Sequence, residues 1–229
     1  MKFRLVVHES LPSTSTLLAE LAEAGEPEGL AILALRQSAG RGTQGRAWQS
    51  PAGNLSISVL LRPDGAAREA PQWALLGALA MRQAAGPRTR LKWPNDLMLG
   101  SAKAGGILTE TATTPQGRIA WLTLGIGVNL AHAPALPDRP TAALGAEPPE
   151  DFAARLLDAL AHWRERRLSQ GFAVIRAAWI EAGPEPGAAL EVLRGGIRHA
   201  GRYEGLSEDG GLRLADARGM HVLHAGEVV

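Results

Sequence analysis

The sequence contains no cysteine. That absence excludes disulfides, thiolate zinc sites and a cysteine nucleophile, and it fits a reducing compartment. Charge of one sign is not in excess either. The 24 basic side chains face 23 acidic ones, a net charge of +1, which argues against a domain built mainly to hold nucleic acid. No uninterrupted apolar run is long enough to cross a bilayer. Residues Met1 to Val7 lack the long apolar stretch of a signal peptide and read as a first strand. The cytoplasm is therefore the expected compartment, with no membrane partner. No internal repeat or low-complexity tract is present, and no room precedes the first strand for a helix-turn-helix module.

Lysine is also scarce. The 24 basic residues comprise 21 arginines and only three lysines, Lys2, Lys92 and Lys103. In a chain that favours arginine wherever either residue serves, a retained lysine marks a position that needs an ammonium rather than a guanidinium. Lys92 and Lys103 fall in one short segment.

The 229 residues, 45% hydrophobic and 21% charged, suit a globular chain of one large domain, or one domain with a small appendage. Ser13-Thr14 form an expected N-cap for a helix carrying Leu17, Leu18 and Leu21 and ended by Gly25. Leu30 to Leu35 reads as a buried strand. Leu55, Ile57 and Val59 alternate with Ser56 and Ser58 as in a half-buried one. Pro71 to Ala85 predicts a buried helix, and Arg90 to Trp93, Gly106 to Thr109 and Ile119 to Val128 predict strands. From Pro149, Phe152, Leu156, Leu157, Leu160 and Trp163 mark an amphipathic helix, followed by a second helix around 172–182. Gly183-Pro184-Glu185-Pro186-Gly187 is the expected boundary. Beyond it, short strands between glycine turns read as a small β-barrel with Leu190, Val192, Ile197, Tyr203, Leu212, Leu214, Val222 and Leu223 as its core.

Three segments carry chemistry. In the first, Gly40, Gly42 and Gly45 satisfy G-x-G-x-x-G after a predicted strand. A dinucleotide fold would open a helix there, whereas Pro51 and Gly53 lead into another strand. No H-R-D or D-F-G follows, which excludes a kinase loop. Gly45 precedes Arg46-Ala47, which excludes a P-loop. What remains is a glycine loop holding Arg41 and Arg46, suited to phosphate or carboxylate oxygens, although alone it is also compatible with a solvated basic turn. The second segment is Lys92-Trp93-Pro94-Asn95-Asp96 with Lys103 to Leu108. Pro94 is expected to stop the ladder, so that Asn95 and Asp96 are displayed at a strand end; a hairpin with solvated lysines is the other reading. The third is Gly125-Ile126-Gly127-Val128-Asn129, whose glycines imply close packing. His221 and His224 are expected on opposite faces of a strand, so no metal site is expected of them.

Together these segments resemble the biotin–protein ligase (biotin holoenzyme synthetase) family. Residues 40–48 match its Gly-Arg-Gly-x-x-Gly-Arg-x-Trp run, and 92–96 match Lys-Trp-Pro-Asn-Asp without change. Lys103 to Leu108 match Lys-x-Gly/Ala-Gly-Ile-Leu, 125–129 match Gly-Ile-Gly-x-Asn, and Ser13-Thr14-Ser15 stand for a Ser-Thr-Asn pattern. The resemblance covers essentially the whole chain. It implies an α/β (α+β) fold: a class II aminoacyl-tRNA synthetase-like mixed sheet with helices over residues 1–184, the catalytic biotin- and ATP-binding domain, and an SH3-like β-barrel over 185–229. The chain begins at its catalytic part, which resembles the monofunctional members without a DNA-binding domain.

The family's activity would be formation of biotinyl-5′-AMP from biotin and ATP, then transfer to a lysine of a biotin carboxyl carrier protein. The resemblance assigns Lys103 and Arg41 to the biotin carboxylate and the acyl-phosphate junction. Ser13, Thr14, Ser15 and Gln37 are assigned to the ureido ring or its pocket, with Gly42, Thr43, Gly105 and Gly125 as further lining. Arg41, Arg46, Trp48, Lys92, Asn95 and Asn129 are the expected ATP contacts. Magnesium is expected with ATP, through solvent or phosphates, and family members are often homodimers. Asp96 either orients the carrier's lysine and helps remove its proton, or is a structural carboxylate pairing Lys92 or Arg46. A lipoate–protein ligase would share the fold and two-step logic, but Lys92 to Asp96 and the arginine loop favour biotin. A non-catalytic biotin or nucleotide sensor is a second alternative, against which the four cations Arg41, Arg46, Lys92 and Lys103 argue.

One departure yields a test. Many family members have arginine where this chain has Thr43, and that arginine is associated with keeping the adenylate bound. This chain is therefore expected either to release biotinyl-AMP more readily or to hold it through backbone contacts. Thr43→Arg is expected to slow release relative to wild type; equal rates would show that the position does not matter.

Overall fold

The computed structural model of the chain describes residues 1–137 and 139–229. Its larger sheet is built from β1 (Arg4–His8), β2 (Leu30–Ala34), β3 (Leu55–Leu61), β4 (Thr89–Lys92), β5 (Asp96–Leu99), β6 (Ala102–Thr113) and β7 (Ile119–Val128). The order is β1-β2-β3-β7-β6-β5-β4. β1 and β2 run parallel, and the remaining neighbours pair antiparallel. Every residue of β3 is buried, so this central strand must be covered on both faces.

One face is covered by α1 (Thr14–Glu23), whose Leu18 and Ala22 pack on Leu30, Ile32, Leu60 and Trp121. Ser13 caps this helix by accepting from the Thr16 N–H at 3.4 Å. The other face carries α2 (Ala70–Ala85), α3 (Pro149–Gln170) and α4 (Phe172–Ala182). Leu76, Phe152, Leu156 and Trp179 of these helices join Leu33, Leu55, Ile57, Leu124 and Ile126 in one core. Gly77 lets α2 settle on the sheet, since a Cβ there would lie 3.0 Å from Ile107 and 3.2 Å from Leu124. α3 and α4 meet at Gly171, whose φ of 77° is the left-handed region that favours glycine.

The C-terminal strands β8 (Ala189–Arg194), β9 (Ile197–Leu206), β10 (Leu212–Asp216), β11 (Gly219–Leu223) and β12 (Glu227–Val228) form an antiparallel sheet of order β11-β10-β9-β8-β12. Val192, Tyr203, Leu206, Leu212, Leu214 and Leu223 are buried and continue the main core. Ile197 and Val222, expected in that core, are instead 64% and 41% exposed. Ile197 directly follows the Gly195-Gly196 turn, and Val222 lies on the outer side of edge strand β11, opposite the inward Leu223. Among the described residues no helix is long and apolar enough to cross a membrane.

The serine alternation of β3 also has a different meaning from the expected one. Ser56 and Ser58 are 3% and 0% exposed. They face the same side as α1, where they line and support a cleft rather than meeting solvent.

Candidate active site

Three neighbouring strands form the floor of this cleft. Register aligns Ser58, Gly125 and Leu108 in one row, and Ser56, Gly127 and Gly106 in the next. Each glycine makes room for a particular side chain. A Cβ on Gly125 would lie 2.4 Å from Ser15 Oγ, and one on Gly127 would lie 2.4 Å from the Trp48 indole. One on Gly106 would lie 3.3 Å from Lys103 Nζ and 3.5 Å from Asp96 Oδ1. Gly105, expected to line the site, faces the opposite side. A Cβ there would meet Gly127 O at 2.9 Å and Met81 Sδ of α2 at 3.2 Å. Strand alternation thus puts Gly106 in the site and Gly105 under the helix.

One end of the cleft is a network of buried hydroxyls. Gln37 Oε1 accepts from the Thr14 N–H at 2.8 Å and from its hydroxyl at 3.2 Å, while Gln37 Nε2 donates to Ser50 Oγ at 2.9 Å. Ser58 Oγ lies 2.8 Å from Thr14 Oγ1 and 3.0 Å from Ser15 Oγ. Ser13, Thr14 and Ser15 are all buried. Ser56 Oγ is buried without a hydrogen-bond partner and also lines the cleft. Ser56 and Ser58 escaped the motif reading; their only signal was two serines in an otherwise apolar strand.

The glycine loop is a small hairpin. Gly42 N–H donates to Arg46 O at 2.7 Å and Trp48 N–H to Gly40 O at 2.9 Å. Gly40 is required by crowding, for a Cβ would sit 2.5 Å from Trp48 O. At the tip Gln44 takes φ 58°, left-handed backbone that costs a side-chain-bearing residue about 1–2 kcal/mol. Both arginines are anchored by carboxylates. Arg41 Nη2 donates to Glu110 Oε1 and Oε2 at 2.9 and 3.0 Å. Arg46 Nη1 donates to Glu227 Oε1 at 3.0 Å, and Arg139 Nη1 reaches the same oxygen at 2.8 Å. Burial raises the Glu227 pKa, but hydrogen bonds from Arg46 and Arg139 outweigh it and hold the carboxyl below its ordinary value. Glu110, Arg139 and Glu227 belong to no local motif, and the sequence carried no signal for them.

The lysines converge on one carboxylate. Lys103 Nζ lies 2.5 Å from Asp96 Oδ1, with both side chains largely buried. The partner expected for Asp96 was Lys92 or Arg46, and the geometry gives Lys103 instead. Asp96 is also not displayed beyond the ladder. It begins β5, pairing with Lys92 on β4 and with Gly106 on β6, which carries its carboxylate over the glycine floor. Lys92 is lowered in pKa by burial, against the pull of Asp96 and Glu227. Lys103 Nζ also stands 5.9 Å from the Trp48 ring centroid.

Two clefts meet at these groups. The first has about 460 Å³ of space and runs from Ser13, Thr14, Ser15 and Gln37 to Arg41 and Lys103. The second, about 880 Å³, is lined by Arg46, Asn129, Arg139 and Thr141. Gly42, Thr43, Trp48 and Lys103 border both. Asn95 and Arg41 line the first cleft rather than the second, and the Asn95 amide donates to Ile107 O at 2.5 Å. Asn129 Oδ1 is buried without a hydrogen-bond partner at the second. Lys92 lines neither, and pairs with Asp96 across the β4–β5 ladder. A third, wider cleft of about 1230 Å³ reaches Asp96 and Lys103 from the side of His224 and Glu227.

Two compartments joined at a cationic neck suit an enzyme that brings two substrates to one anionic junction. The comparisons agree with that class. Residues 7–129 match the Biotin/lipoate A/B protein ligase family. A biotin--[acetyl-CoA-carboxylase] ligase of Paracoccus denitrificans is 38% identical over 216 residues, covering 86% of this chain and 88% of the relative. The bifunctional ligase/repressor BirA of Bacillus subtilis is 31% identical over 238 residues, covering 98% of this chain and 73% of the relative. The fold matches that of the biotin protein ligase from Aquifex aeolicus in complex with biotin and ATP, with a TM-score of 0.81 at 24% identity over 99% of this chain and 97% of the other. The chain belongs to the Biotin/lipoate A/B protein ligase family.

The glycine floor is open to a direct test. Gly127→Ala forces a methyl into the Trp48 indole, and overpacking of this kind is expected to cost about 1–3 kcal/mol in urea unfolding. Trp48→Ala in the same chain is expected to recover most of that loss. An unchanged stability for Gly127→Ala would show that the indole does not rest there.

Proposed function

We propose that this chain is a biotin–[biotin carboxyl carrier protein] ligase, which joins biotin to AMP and passes the biotinyl group to a lysine of the carrier. The observation that carries this reading is the junction of the two clefts at Lys103 and Trp48, beside a hydroxyl-lined end suited to a cyclic urea. The names of the relatives above point the same way. Within this reading, residues 1–184 are the catalytic unit. Residues 185–229 are an SH3-like barrel whose Glu227 reaches back to the arginine hairpin.

In the first step a biotin carboxylate oxygen bonds to the α-phosphorus of ATP, and the bond from that phosphorus to the bridging oxygen breaks, releasing pyrophosphate. Both reactants are anions, so the step needs fixed positive charge at the meeting point more than a protein nucleophile. Lys103 and Arg41 supply it from the first cleft, Arg46 from the second, and Arg139 joins them as a cation beyond the recognised motifs. Ser13, Thr14, Ser15 and Gln37, with Ser56 and Ser58, hold the ureido end. Magnesium is expected to enter with ATP, on its phosphates.

In the second step the carrier's lysine amine attacks the acyl carbon and AMP leaves. A free lysine, with a pKa near ~10.4, must first lose a proton. Asp96, reached through the third cleft and already close to one ammonium, orients the incoming one and helps take its proton.

Purified protein with magnesium-ATP, biotin and an apo carrier domain is expected to biotinylate the carrier. Lipoate transfer in its place, or no transfer, would overturn the reading. Lys92 adds a pH test. Burial sets its pKa below the ordinary 10.5; although it lines neither of the two clefts, phosphates bound at Lys103 and Arg139, whose charges it already feels, would raise that pKa again. ATP binding then takes up protons at alkaline pH, and the KM for ATP rises as pH climbs through the empty-site pKa. Lys92→Met is expected to raise the ATP KM about tenfold or more at neutral pH and to flatten that rise. An unchanged pH profile would remove Lys92 from the ATP side.

A further inference from the structure

We infer that Glu110 is a positioning residue, which sets the Arg41 guanidinium at the neck of the cleft and thereby governs how firmly the acyl-adenylate is held. This rests on the ligase reading above. Glu110 lies on β6, on the same face as Gly106 and Leu108, at the outer end of the glycine floor. Arg41 reaches it from the hairpin, 69 residues away in sequence.

The hydrogen-bond pattern separates anchoring from competition. A single nitrogen, Nη2, donates to both Glu110 oxygens. Arg41 Nε and Nη1 have no hydrogen-bond partner among the described residues, and the side chain lines the first cleft. Glu110 therefore engages one nitrogen of the guanidinium and leaves its other donors for a ligand. A carboxylate competing for the whole group would occupy the full bidentate edge.

The pair is not there for folding. Its side chains are 45% and 26% exposed, and exposed ion pairs contribute little to stability. Its effect is geometric, because Glu110 stands on β6, held along its length by β7, whereas the hairpin around Arg41 is tethered by side chains, through Gln37, Trp48 on Gly127, Arg46 and Arg41 itself. An oxyanion is held best by donors fixed before it arrives. With threonine at position 43, the hairpin brings two arginines to the junction, so the fixing of Arg41 carries much of the retention. Arg41 does not line the second cleft, and binding of ATP alone should be nearly indifferent to Glu110.

The experiment compares wild type with Glu110→Gln, which keeps the shape, and Glu110→Ala. It measures the biotin and ATP KM in biotin-dependent pyrophosphate exchange, the release rate of biotinyl-5′-AMP, and thermal unfolding. For Glu110→Ala we expect release about tenfold faster and a biotin KM raised by a similar factor, the scale of one charge-assisted contact. Glu110→Gln should show the same change in smaller measure, with the ATP KM within about twofold of wild type and Tm unchanged. In an Arg41→Ala background, Glu110→Ala should add nothing. Unchanged or slower release, a lower biotin KM, an ATP KM that rises with the biotin KM, or additive effects in the Arg41→Ala background would overturn the proposal. A wild-type chain that forms no adenylate would overturn the ligase reading and this inference with it, an outcome distinct from the others.

Discussion

The approach of side chains onto the glycine positions of β6 and β7 governs the site. At Gly125, Gly127 and Gly106 the missing Cβ is replaced by Ser15, by the Trp48 indole and by the Lys103–Asp96 pair. Backbone hydrogen-bonded in the middle of a sheet cannot retreat to relieve a 2.4 Å contact, so these positions fix where the functional groups stand. β3 must lie beside β7 to bring Ser58 beneath Thr14 and Ser15, and β5 beside β6 to bring Asp96 to Lys103. The helices α2, α3 and α4 then hold this sheet from its other face.

Electrostatics follows from that geometry. Gathering Arg41, Arg46, Arg139, Lys92 and Lys103 around one neck is unfavourable unless each repulsion is offset nearby. Glu110 and Glu227 offset the arginines, and Asp96 offsets Lys103. Lys92 has its pKa lowered chiefly by burial, against the pull of Asp96 and Glu227 and with smaller repulsion from Arg139 and Lys103. The neck is consequently strongly polar on a chain whose net charge is only +1. Glu110 comes from β6 and Glu227 from β12, so the larger sheet and the C-terminal sheet both brace the arginine hairpin, which also rests on Gly127 through Trp48.

Much of the fold was legible because its signals are local. Ser13 and Gly25 bracket α1, Pro71 opens α2, and Gly171 separates α3 from α4. Each acts through its own backbone or that of near neighbours. β5 was missed because Pro94-Asn95 looked like the end of a ladder, although the chain turns there and pairs again. The family was legible for a different reason: several motifs in the right order and spacing are specific where each alone is weak.

By itself, then, the sequence determined the helix ends, most strands and the family, all of which depend on residue type at short range or on motif order. Tertiary structure alone decided which face each strand turns to the cleft. Alternation says that Ser56 and Ser58 share a side, and Gly105 and Gly106 do not, but only the helices packed on each face say which side is the site. It also decided the partners of the charges. Glu110 stands 69 residues from Arg41 and Glu227 stands 181 from Arg46. Coulomb attraction over a few ångströms depends on where the sheet brings the chain back together, and no local pattern of residues records that.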